Sequence, residues 1–206
     1  MSVPQKVDVY FDYACPFADT AVRWVNELKK QIGDEVQFEF KFFPLEQVNA
    51  PADIEEAIWD LPRENRSPAR HSMQAGAAAL QQGPDAFDAF NLALMTLKHS
   101  EGKEHGKRAT ILEAAQRAGL NMKQFEEDLE DDSLLDIVRE HYETGVQEHG
   151  VFGTPTFVFP TGDAVYLQVL PAPTAEEAVP LWREFAATAV GRPNYREFKR
   201  TRRPKS

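Results

Sequence analysis

The stretch Y-F-D-Y-A-C-P-F-A, residues 10–18, places the only cysteine of this 206-residue chain where a predicted strand turns into a predicted helix. Upstream, residues 7–13 are rich in β-branched and aromatic side chains, which is typical of a buried strand. Downstream, apolar residues recur at helical spacing from Val22 to Ile32. Pro16 suits the first helical position, because its missing N–H would have no partner there. The pattern therefore predicts that Cys15 lies at the N-terminus of a helix.

This placement predicts a reactive thiol. The free N–H groups of a first helical turn carry partial positive charge, which favours a thiolate. Such positions lower a cysteine pKa from about 8.5 to roughly 3.5–7.5, and the thiolate is the nucleophile. The alternative interpretation is that Cys15 merely packs as a small hydrophobic residue.

Composition sets bounds on the class of protein. A single cysteine excludes an intramolecular disulfide framework. No apolar run approaches the roughly 18 residues of a membrane-spanning helix, and the N-terminal residues do not resemble a signal peptide. We therefore expect a cytoplasmic protein without a membrane partner.

The formal net charge of −10 is unevenly distributed. Residues 192–206 carry seven Lys or Arg and one Glu, a net +6, so the other 191 residues carry −16. The acidic charge of residues 1–191 disfavours contact with nucleic-acid phosphates. The basic tail is better interpreted as a solvated terminus or as a segment that binds the acidic remainder of the chain. We expect no nucleic-acid partner, and the sequence leaves the oligomeric state open.

The remaining elements follow in an informative order. After the turn at Gly33-Asp34 comes a second strand, Val36–Phe43, which completes a right-handed βαβ unit with parallel strands. From about Pro51 to His149 the pattern is helical, and the acid-rich run Glu126–Asp132 is interpreted as a solvated helix face. The helices predicted in this block are Pro68–Leu80, Asp85–His99, Lys107–Ala118, a short one after Asn121, and Ser133–His149.

Strand character then returns in a hairpin, Phe157–Phe159 with Ala164–Leu167. A capping box at Thr174–Glu177 begins a last helix through Val190. The order β-α-β, helical block, β-β-α matches an α/β thioredoxin fold with a large helical insertion between the second and third strands. We predict a discontinuous thioredoxin-fold domain at residues 1–45 and 150–206, and a helical insertion domain at 46–149.

The order of the predicted strands and helices allows the segment Gly153-Thr154-Pro155-Thr156 to be interpreted. Thioredoxin-like proteins have a cis-proline at the start of the third strand, packed beside the reactive cysteine, and Pro155 occupies that position. The exposed backbone of Thr154 would then pair with an incoming thiol substrate. The alternative is an ordinary proline at the first residue of a strand.

The chain resembles the DsbA-like thioredoxin-fold oxidoreductases and, within them, the mycothiol-dependent nitroreductase/oxidoreductase group. The resemblance covers nearly the whole chain, and its segments are Tyr10–Pro16, Arg23-Trp24, Leu94–Gly102, Ala118–Leu120, Phe152–Thr156, Pro171–Pro173, Leu181-Trp182 and Glu197–Arg202. It implies a thiol-disulfide oxidoreductase with Cys15 and Pro155 as catalytic residues. The residues that it places around the substrate or thiol are Asp12, Pro16, Phe17, Ala18, His99 and Thr154.

The chain departs from the family motif C-P-W-C, because it has C-P-F-A with Ala18 at the second cysteine position. Without a resolving thiol, Cys15 can still attack a disulfide and form a mixed disulfide, which an external thiol then resolves. Mycothiol, glutathione or bacillithiol would serve as co-substrate, and we expect no tightly bound cofactor and no metal. Asp19 adds a negative charge that would partly oppose thiolate formation.

Two further expectations concern single side chains. Asp12 either orients the strand-to-helix turn by an Asx-type contact or assists proton transfer to Cys15. His99 is a candidate contact for a low-molecular-weight thiol. His141 and His149 are eight residues apart, the wrong spacing for joint metal ligation.

Two other functions stay open. One is a glutathione-dependent transferase or isomerase of the kappa or 2-hydroxychromene-2-carboxylate isomerase type, which activates a bound glutathione thiol and usually has serine at the motif position. The other is a redox-inactive thioredoxin-fold binding protein, an interpretation that Ala18 favours.

Overall fold

The computed structural model describes residues 5–51, 56–197 and 199. It begins with strand β1 (Gln5–Phe11), helix α1 (Pro16–Ile32) and strand β2 (Val36–Phe42). The two strands pair in parallel with Val9 opposite Phe40, which confirms the βαβ unit. β1 ends two residues before the predicted Tyr13, because the chain turns at Asp12 and the Cys15 N–H bonds to the Asp12 carbonyl at 3.1 Å.

The insertion is helical, as predicted, and begins with a short helix that the sequence pattern did not predict. Residues 56–67, expected within the helical block, form turns. The helices are α2 (Leu45–Val48), α3 (Pro68–Leu80), α4 (Pro84–Met95), α5 (Arg108–Arg117), α6 (Met122–Asp128) and α7 (Leu135–His149).

The predicted helix Asp85–His99 is α-helical only as far as Met95. Its last five residues, Thr96–Ser100, form a π-helical turn in which the Glu101 N–H reaches the Thr96 carbonyl at 3.1 Å. Such wide turns occur mostly singly and often at functional sites.

The acid-rich run Glu126–Asp132 is largely exposed, as the sequence interpretation expects, but its helix ends before the run does. Helix α6 ends at Asp128, and a 3₁₀ turn, Asp132–Leu134, precedes α7. Asp132 accepts a hydrogen bond from Arg70 at 2.9 Å, and Arg70 is only 1 % exposed. A buried guanidinium needs an anionic partner, and Asp132, whose side chain is about half exposed, supplies it from within the insertion.

The C-terminal part completes the sheet. Strands β3 (Thr156–Val158) and β4 (Ala164–Tyr166) are followed by helix α8 (Ala175–Gly191). The strand order is β2-β1-β3-β4, with β3 antiparallel to both neighbours. Both hydrogen bonds of the capping box between Thr174 and Glu177 are present. The architecture is the predicted thioredoxin fold with its helical insertion between β2 and β3.

An aromatic core joins the sheet to the outer helices. Trp182 of α8 lies 4.8 Å from Phe38 of β2 and 6.1 Å from Trp24 of α1, measured between ring centroids. The Trp24 indole N–H donates to the Ala178 carbonyl at 2.9 Å. These contacts hold α1, and therefore its N-terminal residue Cys15, rigidly against the sheet.

Among the described residues, no helix has the length and apolar character needed to cross a bilayer. The same part of the chain contains no cluster of three or more potential metal ligands. Residues 200–206, which carry much of the basic tail, lie outside the described residues.

Candidate active site

Cys15 is the N-cap residue of α1, with Pro16 at the first helical position, as predicted. Its carbonyl accepts the Asp19 N–H at 3.1 Å, which is the first hydrogen bond of the helix. Its Sγ lies 3.3 Å from the Thr154 carbonyl oxygen, to which the thiol donates. Cys15 is 7 % exposed, so little of the residue beside the Thr154 loop is accessible to solvent.

The Thr154–Pro155 peptide bond is cis, and the loop that contains it lies against Cys15. Thr154 is 2 % exposed. The expectation of an exposed Thr154 backbone is therefore wrong for its carbonyl, which the Cys15 thiol already occupies. The Tyr166 ring also covers this loop, 3.4 Å from where a Cβ on Gly153 would lie.

Asp12 is buried beneath the cysteine loop. Its Oδ1 accepts the Ala14 N–H at 2.6 Å and its Oδ2 accepts the Leu45 N–H at 2.5 Å. Burial raises the pKa of Asp12 to about 6, although the two backbone hydrogen bonds act in the opposite direction. Both oxygens are engaged by backbone, so the geometry favours the turn-orienting interpretation over proton transfer.

Two residues of the insertion hold Tyr13, which precedes Cys15 by two positions. The Tyr13 hydroxyl donates to Asn91 Oδ1 at 2.5 Å, and burial raises the Tyr13 pKa well above its usual value. His99 Nε2 lies 2.9 Å from the Tyr13 carbonyl, so this ring nitrogen carries the donated hydrogen. The structure thus brings His99 to the cysteine loop through the backbone.

Asp19 is paired, which the sequence interpretation did not anticipate. Arg23 Nε donates to both Asp19 oxygens, at 3.0 and 3.1 Å. Acid and arginine four residues apart on a helix are a recognisable signal for such a pair. The motif search did not identify Arg23 as a neighbour of the site.

The other motif residues differ in exposure. Pro16 is exposed, Phe17 is partly buried, and Ala18 is completely buried. The side chain at the resolving position of the family motif therefore faces the core.

Exposed apolar side chains lie in the segments that flank the cis-proline loop along the chain, and the motif search did not find them. Phe152 is 69 % exposed and its ring lies 5.2 Å from that of Tyr166. Leu170 is 71 % exposed, and its neighbour Val169 is tied to α1 by a 2.6 Å hydrogen bond from Thr20. Isolated exposed apolar residues carry no signal, and only the fold brings the Phe152 ring to that of Tyr166 beside the cis-proline loop.

Comparison with known proteins agrees with this geometry. Residues 6–177 match the family described as DSBA-like thioredoxin domain. An uncharacterized protein of Mycobacterium tuberculosis is 27 % identical over 199 residues, which are 96 % of this chain and 83 % of that protein.

Solved structures with the same fold include a 2-hydroxychromene-2-carboxylate isomerase, with a TM-score of 0.62 at 16 % identity over 88 % of this chain and 94 % of the isomerase. The thiol-disulfide oxidoreductase MdbA from Actinomyces oris has a TM-score of 0.61 at 18 % identity, over 87 % of this chain and 80 % of MdbA. The thiol-disulfide exchange protein α-DsbA2 from Wolbachia pipientis has a TM-score of 0.59 at 15 % identity, over 88 % and 81 %.

The fold and the site define a thioredoxin-fold protein with a cysteine at the N-terminus of its first helix. The chain belongs to the DsbA-like thioredoxin family, since the family match covers most of its length.

Proposed function

We propose that this protein is a thiol-disulfide oxidoreductase that works through Cys15 alone. The observation that carries the proposal is the position of the Cys15 sulfur, at the N-terminus of α1 and 3.3 Å from the carbonyl of the cis Thr154–Pro155 unit. The similarity to named thiol-disulfide exchange proteins supports the same reaction class. We place the reaction in the cytoplasm, with a small thiol or disulfide as partner and neither nucleic acid nor membrane.

The reaction has two balanced steps. The Cys15 thiolate attacks one sulfur of a disulfide, the S–S bond breaks, and the released thiolate takes a proton from solvent. A low-molecular-weight thiolate then attacks the bound sulfur of the mixed disulfide and displaces the Cys15 thiolate, forming a new disulfide with the captured fragment. Mycothiol, glutathione and bacillithiol are the candidate thiols, and the resemblance to the mycothiol-dependent group favours mycothiol.

The site residues divide into two roles. Pro155 and Thr154 form the wall against which the mixed disulfide lies, while Pro16, Phe17 and Ala18 form the helix start. Asp12 and His99 hold the loop before Cys15, and the partly buried ring of His99 is the candidate contact for a bound thiol. The exposed apolar side chains of Phe152, Tyr166 and Leu170 would contact the remainder of the substrate.

Replacement of the nucleophile tests the proposal. We expect wild-type protein incubated with each oxidised thiol to gain the mass of one thiol, and the reduced thiol to remove it. Cys15→Ser should form no adduct and show no disulfide reduction, while its circular dichroism spectrum is unchanged. Reduction by the folded serine variant at the wild-type rate would contradict the mechanism.

A transferase or isomerase using a bound glutathione thiol is the second candidate. The structural likeness to a 2-hydroxychromene-2-carboxylate isomerase supports it at the level of fold. Turnover of an electrophile with glutathione, without a Cys15 adduct, would favour this reaction. The redox-inactive alternative draws support from the low exposure of Cys15 and predicts a thiol that resists alkylation.

A further inference from the structure

Asp19 is the carboxylate one helical turn after Cys15 on α1. Its backbone N–H donates to the Cys15 carbonyl at 3.1 Å, which places the two residues on adjacent turns. Asp19 is only 9 % exposed, so solvent screens its charge incompletely. A carboxylate in this position disfavours a second negative charge on the Cys15 sulfur.

Arg23 offsets this charge. Its Nε donates to both oxygens of Asp19, and its Nη2 lies 3.0 Å from Asp19 Oδ1. The guanidinium stays protonated throughout the working pH range of proteins. The pair therefore carries no net charge beside Cys15, provided that the arginine stays in place.

The π-helical turn of the insertion keeps the arginine in place. Arg23 Nη2 donates to Thr96 Oγ1 and to Ser100 Oγ, each at 3.3 Å. The Thr96 hydroxyl itself donates to the Leu92 carbonyl at 2.7 Å, so its lone pairs have a set direction. A free arginine side chain samples many rotamers, and two fixed acceptors on a second element restrict it.

We propose that Arg23 is a positioning residue for Cys15. Held by Thr96 and Ser100, it keeps the Asp19 carboxylate paired, and the thiolate of Cys15 forms at a lower pH than an unpaired Asp19 would allow. The helical insertion thereby controls the reactivity of a nucleophile that belongs to the thioredoxin fold. The inference rests on the proposed function only in taking Cys15 as the nucleophile.

Other titratable groups lie around Cys15 and stay unchanged in the variants below. They belong to the preceding loop, the π-helical turn and strand β4, namely Asp12, Tyr13, His99 and Tyr166.

The test measures the rate of Cys15 alkylation by iodoacetamide as a function of pH, which is unambiguous in a chain with one cysteine. In Arg23→Gln we expect the midpoint of the profile to move up by about half a pH unit or more, because Asp19 is left unpaired. In Asp19→Asn we expect it to move down, because Arg23 keeps its positive charge. The double variant should return near the wild-type midpoint, since both charges are gone.

Substitutions in the π-helical turn test whether the insertion affects the reactivity of Cys15 through Arg23. Thr96→Val combined with Ser100→Ala should move the midpoint in the same direction as Arg23→Gln, by a smaller amount. Arg139→Gln is the control, because Arg139 forms an ion pair with Asp136 within one turn of α7, away from the π-helical turn. Its profile should coincide with that of the wild type.

Coincident profiles for Arg23→Gln and wild type would overturn the proposal, as would shifts in the same direction in Arg23→Gln and Asp19→Asn. If circular dichroism shows that Arg23→Gln is unfolded, the Asp19→Asn profile decides: a lower midpoint supports the proposal and an unchanged one overturns it. A wild-type Cys15 that resists alkylation at every pH also overturns it. Disulfide exchange is measured separately, so a wild type that alkylates as expected but exchanges nothing would reject the proposed function alone.

Discussion

Asp12 combines complete burial with two backbone hydrogen bonds, and these have opposite effects on its proton affinity. Burial disfavours the carboxylate, whereas the N–H groups of Ala14 and Leu45 stabilise it. The effect of burial is the larger one, so Asp12 in the folded protein stays protonated up to about pH 6. The usual pKa of an aspartate is 3.8. The loop that presents Cys15 thus rests on a group that titrates in a mildly acidic range.

The pH dependence of stability should show this titration. Because the Asp12 pKa is higher in the folded state, its stabilising contribution is complete below about pH 4 and is lost as pH rises through about 6. We expect the difference in unfolding free energy between wild type and Asp12→Asn to fall by about 3 kcal/mol across this interval. Denaturant unfolding at a series of pH values measures it.

Asp136→Asn, a change to an exposed carboxylate on α7, is the control, because it removes a carboxylate without altering a buried group. A difference for Asp12→Asn that is constant from pH 4 to 7 would show that Asp12 titrates normally in the folded protein.

His99 contacts the backbone of the cysteine loop, and its donor can be tested by substitution. His99→Phe removes the N–H that reaches the Tyr13 carbonyl, and we expect disulfide exchange to slow about tenfold or more because the loop is less well positioned. His99→Gln retains a donor at similar reach and should recover most of the rate. Stopped-flow reduction of a small disulfide measures both.

His71→Phe is the matched control, since His71 Nε2 lies 2.8 Å from the Asn65 carbonyl in the insertion, a similar contact away from the cysteine loop. Equal exchange rates in His99→Phe and wild type would remove His99 from the site.

Helix α3 packs against the cysteine loop because Gly76 has no side chain. A Cβ there would lie 2.5 Å from the Tyr13 hydroxyl and 2.7 Å from the Phe42 ring, closer than real contacts allow. The seven residues Gln74–Leu80 include four alanines, a composition that lets elements approach closely. The small-residue face of α3 is therefore what allows Tyr13 to reach Asn91.

Gly76→Ala should destabilise the protein by about 1–3 kcal/mol through overpacking, in spite of the better helix propensity of alanine. Thermal and urea unfolding measure the change. Gly191→Ala at the end of α8 meets no atom within 4 Å and should be neutral or slightly stabilising. A neutral Gly76→Ala would mean that α3 can move away from Tyr13 without cost.

Most elements of this chain follow from local pattern, and the exceptions have physical causes. The capping box of α8, the proline at the start of α1 and the alternation of β2 each predict their element correctly. The π-helical turn at Thr96–Ser100 escapes prediction because its reason lies in contacts with Tyr13 and Arg23, far away in sequence. The pairing of Asp132 with Arg70 could not be predicted for the same reason, since the two residues are 62 positions apart.

An aromatic core is shared by α1, the sheet and α8, and Cys15 belongs to the same buried cluster. We expect Trp182→Ala to lower the free energy of unfolding by about 3–5 kcal/mol, because Trp182 is 3 % exposed and packs against Trp24, Phe38 and Phe159. Circular dichroism in increasing urea measures this loss. Trp59→Ala, a change to a partly exposed tryptophan beside Tyr142, is the control and should cost less than half as much.

The same urea series should report on cooperativity. Cys15 should become rapidly alkylated at the urea concentration at which the circular dichroism signal is lost, in both wild type and Trp182→Ala. Alkylation that runs far ahead of the loss of helix would mean that the insertion and the thioredoxin fold unfold separately.

The sequence by itself determined the order of elements, the place of Cys15 at a helix N-terminus and the position of Pro155 before the third strand. These features depend on residue type and short-range spacing, which a single chain displays directly. The tertiary structure alone decided that Arg23 is held by the insertion, that the Thr154 carbonyl is occupied by the thiol, and that the Phe152 ring lies beside that of Tyr166. Each of these depends on side chains that folding brings together from distant positions, and their energies depend on burial, which no local pattern specifies.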